Sequence, residues 1–301
     1  MTDPAHQSAP YVSPAAWQQQ GQYFAFNGQQ IFYRDSGIDD KPVLLLIHGF
    51  PTASWDWQPI WPTLEAHFRV IAPDMLGFGF SSKPQKHQYS IHEQADIHVA
   101  LLAHLGIQQC HALVHDYGVS VMQELLARQI ESSLSNLQFV SACFLNGGLY
   151  PEMHRARFVQ KLMLGPLGPL LSKLTNQGQF NRSFSAVFGP NTQPSKQELA
   201  DFWALIKHAQ GDKLFHRLIR YMKDRKQHRN RWVHAIENPG IPVRLINGPE
   251  DPVSGRHLVE YYANKISNAD VVLLEGIGHY PQVEAPQAVL KHFLEFYKSM
   301  N

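Results

Sequence analysis

One aspartate stands where a buried strand must turn sharply into a helix. Asp116 follows the apolar run Ala112-Leu113-Val114, which is typical of a buried strand. From Gly118 onward apolar residues recur at helical spacing, so only a very tight turn fits between the two elements. Such a turn holds one side chain out at the carboxyl end of a parallel sheet, as in a nucleophile elbow. A carboxylate there could attack carbon, or it could merely cap the helix that follows.

Two further polar side chains follow predicted strands later in the chain. Asp251 and His279 each come a few residues after an apolar run. Because the carboxyl ends of parallel strands meet at one edge of a sheet, both are expected to lie near Asp116. A histidine there can take a proton from water, and a carboxylate can orient its ring. Glu250, next to Asp251, is an alternative for that carboxylate.

Strands and helices alternate over most of the chain. Asn27-Gly28 separates two alternating segments, 23–26 and 30–33, and predicts a hairpin of two antiparallel edge strands. Continuous apolar runs predict strands buried on both faces of a parallel sheet at 42–47, 69–74, 112–114, 137–145, 243–247 and 271–274. The predicted fold class is therefore α/β, with a mostly parallel eight-stranded sheet flanked by helices.

The alternation stops after Gly148. Residues 150–235 have helical patterns and no buried-strand run, and Ser195 with Glu198 forms a capping box. An insertion of about 85 residues is too long for a connecting loop, so we expect an all-helical cap over the carboxyl edge of the sheet. The predicted domains are 1–149 (first part of the core), 150–235 (cap) and 236–301 (second part of the core). Residues 1 to about 20 are polar and predict a loose lead-in.

Composition indicates an ordinary globular protein. Hydrophobic residues make up 44% of the chain, and the net charge is +1, so neither disorder nor a nucleic-acid partner is expected. Neither of the two cysteines has a CxxC neighbour, and no histidines have HExxH spacing, so we expect no metal and no cofactor. The sequence has no signal-peptide pattern and no apolar run near the ~20 residues of a membrane span, which predicts a cytoplasmic protein.

Together these motifs resemble the α/β-hydrolase superfamily over residues 22–299. The order Asp116, Asp251, His279 is the nucleophile, acid and base order of that fold. More narrowly, the chain resembles the branch with an aspartate nucleophile, which contains epoxide hydrolases and haloalkane dehalogenases. It is also similar to the mesoderm-specific transcript proteins in the motifs His115-Asp116-Tyr117-Gly118, Phe144-Leu145-Asn146-Gly147-Gly148-Leu149, Val187-Phe188-Gly189-Pro190, Arg231-Trp232-Val233 and His279-Tyr280-Pro281-Gln282.

The resemblance implies a hydrolase that needs no cofactor. Asp116 would form a covalent alkyl ester with a small apolar substrate, and His279 would activate the water that hydrolyses it. Asp251 is favoured as the acid because its spacing from Gly248 matches the family. Backbone N–H groups of Phe50, within a His-Gly-Phe-Pro motif similar to that of epoxide hydrolases, and of Tyr117 would form the oxyanion hole.

Epoxide hydrolysis to a diol is the most strongly implied reaction. Tyr221 matches one of the two cap tyrosines that protonate the ring oxygen in epoxide hydrolases, but the second has no match. Tyr150 is the nearest substitute. Haloalkane dehalogenases, the alternative, carry a halide-binding Asn and Trp where this chain has Phe50 and Tyr117.

Other residues near these motifs are weaker candidates for the substrate pocket. They are His48, Trp55, Trp57, His115 and Tyr150. Tryptophans at helical spacing are more often part of a core than of a substrate site. A further alternative is a ligand-binding or signalling protein on a hydrolase scaffold, although binding alone needs no Asp–His pair. The oligomeric state is not predicted.

Overall fold

Eight strands form one sheet within residues 10–37 and 40–300, the part of the chain that this computed structural model describes. They are β1 (Gln22–Phe26), β2 (Gln29–Asp35), β3 (Val43–Ile47), β4 (Arg69–Pro73), β5 (Gln109–Val114), β6 (Gln138–Phe144), β7 (Val243–Asn247) and β8 (Asp270–Leu273). Their order across the sheet is β1-β2-β4-β3-β5-β6-β7-β8. The pairs β1–β2 and β2–β4 are antiparallel, and the remaining pairs are parallel. The predicted fold class is confirmed.

The central strands are buried as their apolar sequences predict. The side chains from Leu44 to Ile47 in β3 and from Ala112 to Val114 in β5 are fully inaccessible to solvent. The predicted hairpin forms at Asn27-Gly28, where both residues have positive φ, as a two-residue primed turn requires. Of the two hairpin strands, however, only β1 lies at the edge of the sheet, because β2 also pairs with β4.

Helices pack on both faces of the sheet and fill the long gap between β6 and β7. The core helices are α1 (Pro14–Gln19), α2 (Trp61–His67), α3 (Ile91–His104), α4 (Tyr117–Ile130), α12 (Arg256–Lys265), α13 (Pro281–Glu284) and α14 (Pro286–Lys298). The helices between β6 and β7 are α5 (Phe158–Leu164), α6 (Gly168–Leu174), α7 (Gln177–Ser185), α8 (Lys196–Lys207), α9 (Phe215–Leu218), α10 (Tyr221–Gln227) and α11 (Arg229–Glu237). Of the described helices, none is long and apolar enough to cross a membrane.

The lead-in differs from the sequence prediction. Residues 1–9 lie outside the described part, but Pro14–Gln19 form α1, whose first turn is capped by the Ser13 side chain. The helix is fixed by Trp17, which is fully buried and packs edge-on against Trp61 at 5.2 Å between ring centroids. A tryptophan anchor of this size supplies enough apolar burial to order a polar segment.

The regular elements between β6 and β7, which we call the helical insertion, run from residue 158 to residue 237 and are all helical, as predicted for residues 150–235. Ser195 and Glu198 form the expected capping box at the start of α8. The helix ends at Lys207, and Ala209 and Gln210 then adopt positive φ, which breaks the helical path. Its division from the core as a separate cap remains a prediction.

Glu124 of α4 fastens the insertion to the core. Its carboxylate, 1% exposed, accepts hydrogen bonds from Arg128 at 2.7 Å and from Trp232 at 2.6 Å, and it also pairs with Arg231 and His92. Burial raises the pKa of Glu124, but these donors outweigh it and hold the pKa well below its usual range. A buried anion with this many donors links α4 to α3 and to α11.

Candidate active site

Asp116 stands at a strained turn between β5 and α4. It has φ 45° and ψ −102°, a conformation that residues with side chains rarely adopt. Its N–H donates to the Asn146 carbonyl at 2.8 Å. The helix that follows passes so close to β3 that a Cβ on Gly118 would lie 2.4 Å from the Ile47 carbonyl oxygen, so only glycine fits. The Asp116 side chain makes no capping hydrogen bond to α4, so it is not a helix cap.

The two carboxylate oxygens of Asp116 have different partners. Oδ2 accepts the backbone N–H of Phe50 at 3.0 Å, and Oδ1 lies 3.9 Å from Nε2 of His279. The approach of Phe50 depends on Gly49, because a Cβ there would lie 2.8 Å from the Asp116 Cβ. Burial raises the pKa of Asp116, but the hydrogen bond and charge of His279 outweigh it and lower the pKa below its usual value. The carboxylate is therefore ionised.

His279 is held on its other side by Asp251. Nδ1 of the ring donates to Oδ2 of Asp251 at 2.7 Å. The same oxygen accepts from the Ser254 hydroxyl at 2.6 Å and from Nδ2 of Asn146 at 3.0 Å. Glu250, the alternative acid, is exposed and has no bond to the ring. The structure thus brings Asp116, Asp251 and His279 together, with Asp251 as the partner of the imidazole.

Opposing effects set the protonation of His279. Burial lowers its pKa, but the charge of Asp251 and the hydrogen bonds to Asp116 and Asp251 outweigh burial and raise the pKa well above its usual range. The pKa of Asp251 is held below its usual range because the charge of His279 and several donors outweigh its own burial. The ring is therefore a protonated imidazolium between two carboxylates.

His115 supports the backbone of His279 instead of facing the substrate. Its Nε2 donates to the His279 carbonyl at 2.7 Å. Burial, and then the charge of His279, lower the pKa of His115 to about 3, so its ring is neutral. This contact positions the backbone at His279, and His115 does not line the cavity described next.

A cavity of ≈ 460 Å³ opens over Asp116 and His279. Its walls are mainly apolar, from both the sheet edge and the helical insertion. The lining residues are Phe50, Pro51, Asp116, Arg157, Val159, Gln160, Leu162, Met163, Leu171, Leu174, Thr175, Gln179, Phe180, Ser183, Phe184, Val187, Phe215, Ile219, Val253, His279 and Tyr280. A concave apolar site with few polar groups suits a small apolar organic molecule. Residues 10–37 and 40–300 contain no group of three or more His, Cys, Asp or Glu side chains that could hold a metal ion.

Tyr221, at the start of α10, is not among the residues that line this cavity, but it packs against Phe50, which is. Its ring is 4.7 Å from that of Tyr117 and 6.2 Å from that of Phe50, between centroids, and the side chain is almost fully buried. The Arg225 guanidinium lies 5.7 Å from the ring centroid. Burial, and then the charge of Asp116, raise the pKa of Tyr221 well above its usual range, so the phenol keeps its proton.

His48 and Tyr150 are not brought to the cavity. His48 is fully buried, donates to the Gly49 carbonyl at 2.8 Å and accepts the Met75 N–H at 3.0 Å, so it braces the loop that carries Phe50. Tyr150 packs its ring 4.8 Å from that of Tyr261 on α12, and its hydroxyl contacts Glu237 at 3.4 Å. The structure therefore does not support Tyr150 as a substitute for the missing second tyrosine.

The two tryptophans suggested for the pocket belong to the core. Both lie in a short 3-10 helix (Ser54–Trp57) before α2. Trp55 donates its indole N–H to the Val12 carbonyl at 2.8 Å and packs against Phe202, and Trp57 is fully buried. Neither lines the cavity.

Asn146 also belongs to the site, although the sequence did not predict a role for it. Its side chain donates to Asp251 and to the Gly248 carbonyl, and accepts the Gly248 N–H at 2.7 Å. Asn146 lies two residues after the end of β6, just as the other site residues follow their strands, so its position alone could have indicated a role. Ser254 lies three residues after Asp251, a spacing at which a serine hydroxyl can bond within the same turn. This spacing could have indicated its hydrogen bond to Asp251.

The chain belongs to the alpha/beta hydrolase fold family, whose sequence model matches residues 42–286. It is 43% identical to the mesoderm-specific transcript protein of Mus musculus, with 98% of this chain and 91% of that protein covered. A solved haloalkane dehalogenase DbeA-M1 loop variant from Bradyrhizobium elkanii has a similar fold, with a TM-score of 0.78, 22% identity and coverage of 93% and 96%. The epoxide hydrolase CorEH gives a TM-score of 0.75, 21% identity and coverage of 93% and 99%.

These likenesses confirm the family that the motifs indicated. Membership of the family supports a hydrolase. The solved structures are less than 25% identical to this chain, so they establish the fold and leave the reaction to be argued from the site.

Proposed function

We propose that this protein is an epoxide hydrolase that works through a covalent ester at Asp116. The observation that carries the proposal is the placement of one carboxylate between two groups. The Phe50 N–H holds Oδ2, and the His279 ring faces Oδ1 across 3.9 Å. A fixed, ionised carboxylate at the floor of an apolar cavity is suited to displacement at a saturated carbon.

In the first step Oδ1 of Asp116 attacks a ring carbon of the epoxide. A new C–O bond forms, the C–O bond of the ring breaks, and the ring oxygen leaves as an alkoxide. Tyr221 gives that oxygen its proton. Its phenol stays protonated under the charge of Asp116, and the nearby Arg225 opposes that effect by lowering the phenol pKa. A donor aimed at charge that exists only in the transition state accelerates the step.

In the second step water attacks the ester carbonyl carbon of Asp116. The carbonyl oxygen is Oδ2, which the Phe50 N–H already contacts. We assign the second oxyanion donor to the N–H of Tyr117, which has no partner within α4 because it is the first helical residue. Collapse of the tetrahedral intermediate releases the diol and restores the carboxylate.

Ester formation also prepares His279 for this second step. The charge of Asp116 is one of the causes that raise the pKa of His279. Because the ester is neutral, that contribution disappears on alkylation and the imidazolium gives up its proton more readily. Passed on through water, this proton restores the Tyr221 phenol, which the first step left as a phenolate. The neutral ring can then take a proton from the attacking water, while Asp251 stabilises the imidazolium that results.

We further propose that the helical insertion acts as a cap. Phe180, Phe184 and Phe215 of the insertion line the same cavity as Asp116 and His279 of the core. An apolar roof over the carboxylate excludes bulk water, which strengthens the electrostatic interactions below it. The substrate would be a small apolar molecule, and water is the second reactant.

Haloalkane dehalogenation is the second candidate, because an ionised carboxylate at the floor of an apolar cavity can also displace a halide from a saturated carbon. A leaving halide needs N–H donors. The side-chain N–H groups of this cavity belong to Arg157, Gln160 and Gln179, and none stands at position 50 or 117, where haloalkane dehalogenases carry their halide-binding Asn and Trp. Phe50 has no side-chain donor, and the indole N–H of Trp55 is already bound to the Val12 carbonyl. Tyr280 lines the cavity, but its hydroxyl contacts the Phe50 carbonyl at 3.3 Å. Epoxide opening, which needs a proton donor, fits the side chains better.

A parallel screen of the purified protein distinguishes these reactions. Epoxides, haloalkanes and carboxylic esters are offered separately, and diol, halide and acid are measured, with Asp116→Ala as the matched inactive control. We expect diol from apolar epoxides and none from Asp116→Ala. Halide release without diol would favour the dehalogenase. Turnover that survives in Asp116→Ala would contradict the mechanism, and binding without turnover of any substrate would indicate a binding protein.

A further inference from the structure

Two helices of the insertion carry an exposed apolar surface. Within the described part of the chain, nine large apolar side chains are exposed, and six of them lie between residues 158 and 174. They are Phe158 (76% exposed), Val159, Leu162, Leu167 (59%), Leu170 (54%) and Leu174 (61%). We call α5, α6 and their connection the α5–α6 hairpin. Single exposed leucines need no explanation, but a concentrated patch marks an interaction surface.

The patch is continuous with the mouth of the cavity. Val159, Leu162 and Leu174 are exposed and also line the cavity that contains Asp116. The cavity therefore opens between α5 and α6 onto apolar surface. An apolar molecule held in contact with the hairpin could enter without passing through water.

The charge around the patch is of one sign. No Asp or Glu occurs between Glu152 and Glu198, whereas residues 153–197 contain six Lys and Arg. Since the whole chain has a net charge of +1 and this segment has +6, the residues outside it together have a net charge of −5. The six are Arg155, Arg157, Lys161, Lys173, Arg182 and Lys196. Apolar side chains flanked by cations are the pattern of segments that lie in the interface of anionic membranes.

A basic cleft on the other side of α5 extends this positive surface. The cleft, of ≈ 880 Å³, is lined by Lys161 of the hairpin and by Arg155, Arg225 and Lys226. Arg229 and Glu152 also line it and pair with each other at 2.5 Å, so they largely neutralise one another. Because Arg225 is buried and bonded to the Gly148 carbonyl, the accessible positive charge next to the patch comes from Arg155, Lys161 and Lys226, and it is suited to phosphate headgroups.

We infer that the α5–α6 hairpin docks the protein on the surface of an anionic phospholipid membrane. Phe158, Leu167, Leu170 and Leu174 enter the boundary between headgroups and acyl chains, and the flanking cations contact the headgroups. The cavity mouth then faces the lipid. Docking is independent of the chemistry at Asp116, and only the delivery of a lipid-dissolved substrate to Asp116 rests on the proposed function.

Vesicle co-sedimentation of the full-length protein tests the docking. Phosphatidylcholine vesicles with and without phosphatidylserine are used as probes. The test variant is Phe158→Asp/Leu170→Asp, which changes one aromatic and one aliphatic residue of the patch and leaves the residues that line the cavity unchanged. The matched control is Tyr23→Asp/Ile130→Asp, which makes the same change at exposed positions outside the hairpin.

We expect wild type to bind the anionic vesicles more tightly than the neutral ones. The test variant should bind the anionic vesicles about 10- to 100-fold more weakly, because two inserted side chains are replaced by charges that the lipid repels. The control should bind the vesicles nearly as tightly as wild type does. Its small loss of affinity reflects only the two added negative charges. Circular dichroism of both variants should match that of wild type.

Three outcomes would overturn the inference. The first is failure of wild type to sediment with either vesicle, and the second is an equal loss of binding in both double variants. The third is a dimer in sedimentation velocity that Phe158→Asp/Leu170→Asp dissociates, with no vesicle binding, which would assign the patch to self-association. A protein that binds vesicles but hydrolyses no epoxide would retain the docking and refute only the proposed function.

Discussion

Removing the Tyr221 hydroxyl tests the acid in the proposed first step. Tyr221→Phe keeps the ring and hence its packing against Tyr117 and Phe50, at 4.7 and 6.2 Å. The fold should therefore be retained, because the apolar contacts of the ring are unchanged. The proton for the leaving alkoxide is lost, and one such donor is worth about 2.7–4 kcal/mol, or roughly 100- to 1000-fold in rate.

Rapid-quench measurement of epoxide opening under single-turnover conditions reports this step alone. Tyr150→Phe is the matched control, because its hydroxyl contacts Glu237, outside the cavity, and its loss should leave the rate unchanged. Displacement of halide from a haloalkane, if any occurs, should be nearly insensitive to Tyr221→Phe. A fall of less than about tenfold in epoxide opening, equivalent to about 1.4 kcal/mol, would show that Tyr221 is only a packed residue.

Three other predictions concern the elbow, the joint to the insertion and pH. Gly118→Ala should lower stability by about 1–3 kcal/mol and reduce activity, since its Cβ would meet the Ile47 carbonyl at 2.4 Å; urea unfolding and turnover measure both effects. Glu124→Gln should destabilise the protein by about 3 kcal/mol at neutral pH because its donors lose their anion. Folding lowers the pKa of the Glu124 carboxyl, so the stability that the carboxylate contributes is present above its unfolded pKa of about 4.3 and is lost as pH falls further. The difference in free energy of unfolding between wild type and Glu124→Gln should therefore shrink when both are denatured at pH values from 7 down to 3. Hydrolysis of the alkyl-enzyme should slow as pH falls, because only neutral His279 accepts a proton. Alkylation should persist to lower pH, until Asp116, whose pKa is lowered, becomes protonated. Quenched-flow measurements should therefore give different pH profiles for the two steps.

Local patterns were sufficient to predict the sheet and the positions of the three central site residues. Buried parallel strands need continuous apolar runs, and the turns that follow them lie at one edge, so Asp116, Asp251 and His279 could be grouped without a structure. The choice of Asp251 over Glu250 depended on spacing, and the bond between its carboxylate and the His279 ring agrees with it.

Features that depend on long-range packing could not be predicted in the same way. Trp17 is held in place by Trp61 and other residues distant in the sequence. The polar sequence of the lead-in therefore did not predict α1. The direction of Tyr150 is set by Tyr261, more than 100 residues later, and this contact turns it away from the cavity. Trp55 and Trp57 lie in a 3-10 helix of 4 residues. A helix this short has too few residues for hydrophobic periodicity to show which side is buried.

Intact-protein mass spectrometry of His279→Gln with an apolar epoxide tests the central claim most directly. The variant keeps Asp116 and Tyr221, so the first step should proceed, but no base remains to activate water. We predict one covalent adduct per protein, equal in mass to the epoxide and located on Asp116 by peptide mapping. No adduct should form in His279→Gln/Asp116→Ala. An unmodified His279→Gln protein under conditions where wild type produces diol, or an adduct on another residue, would contradict the proposed ester at Asp116.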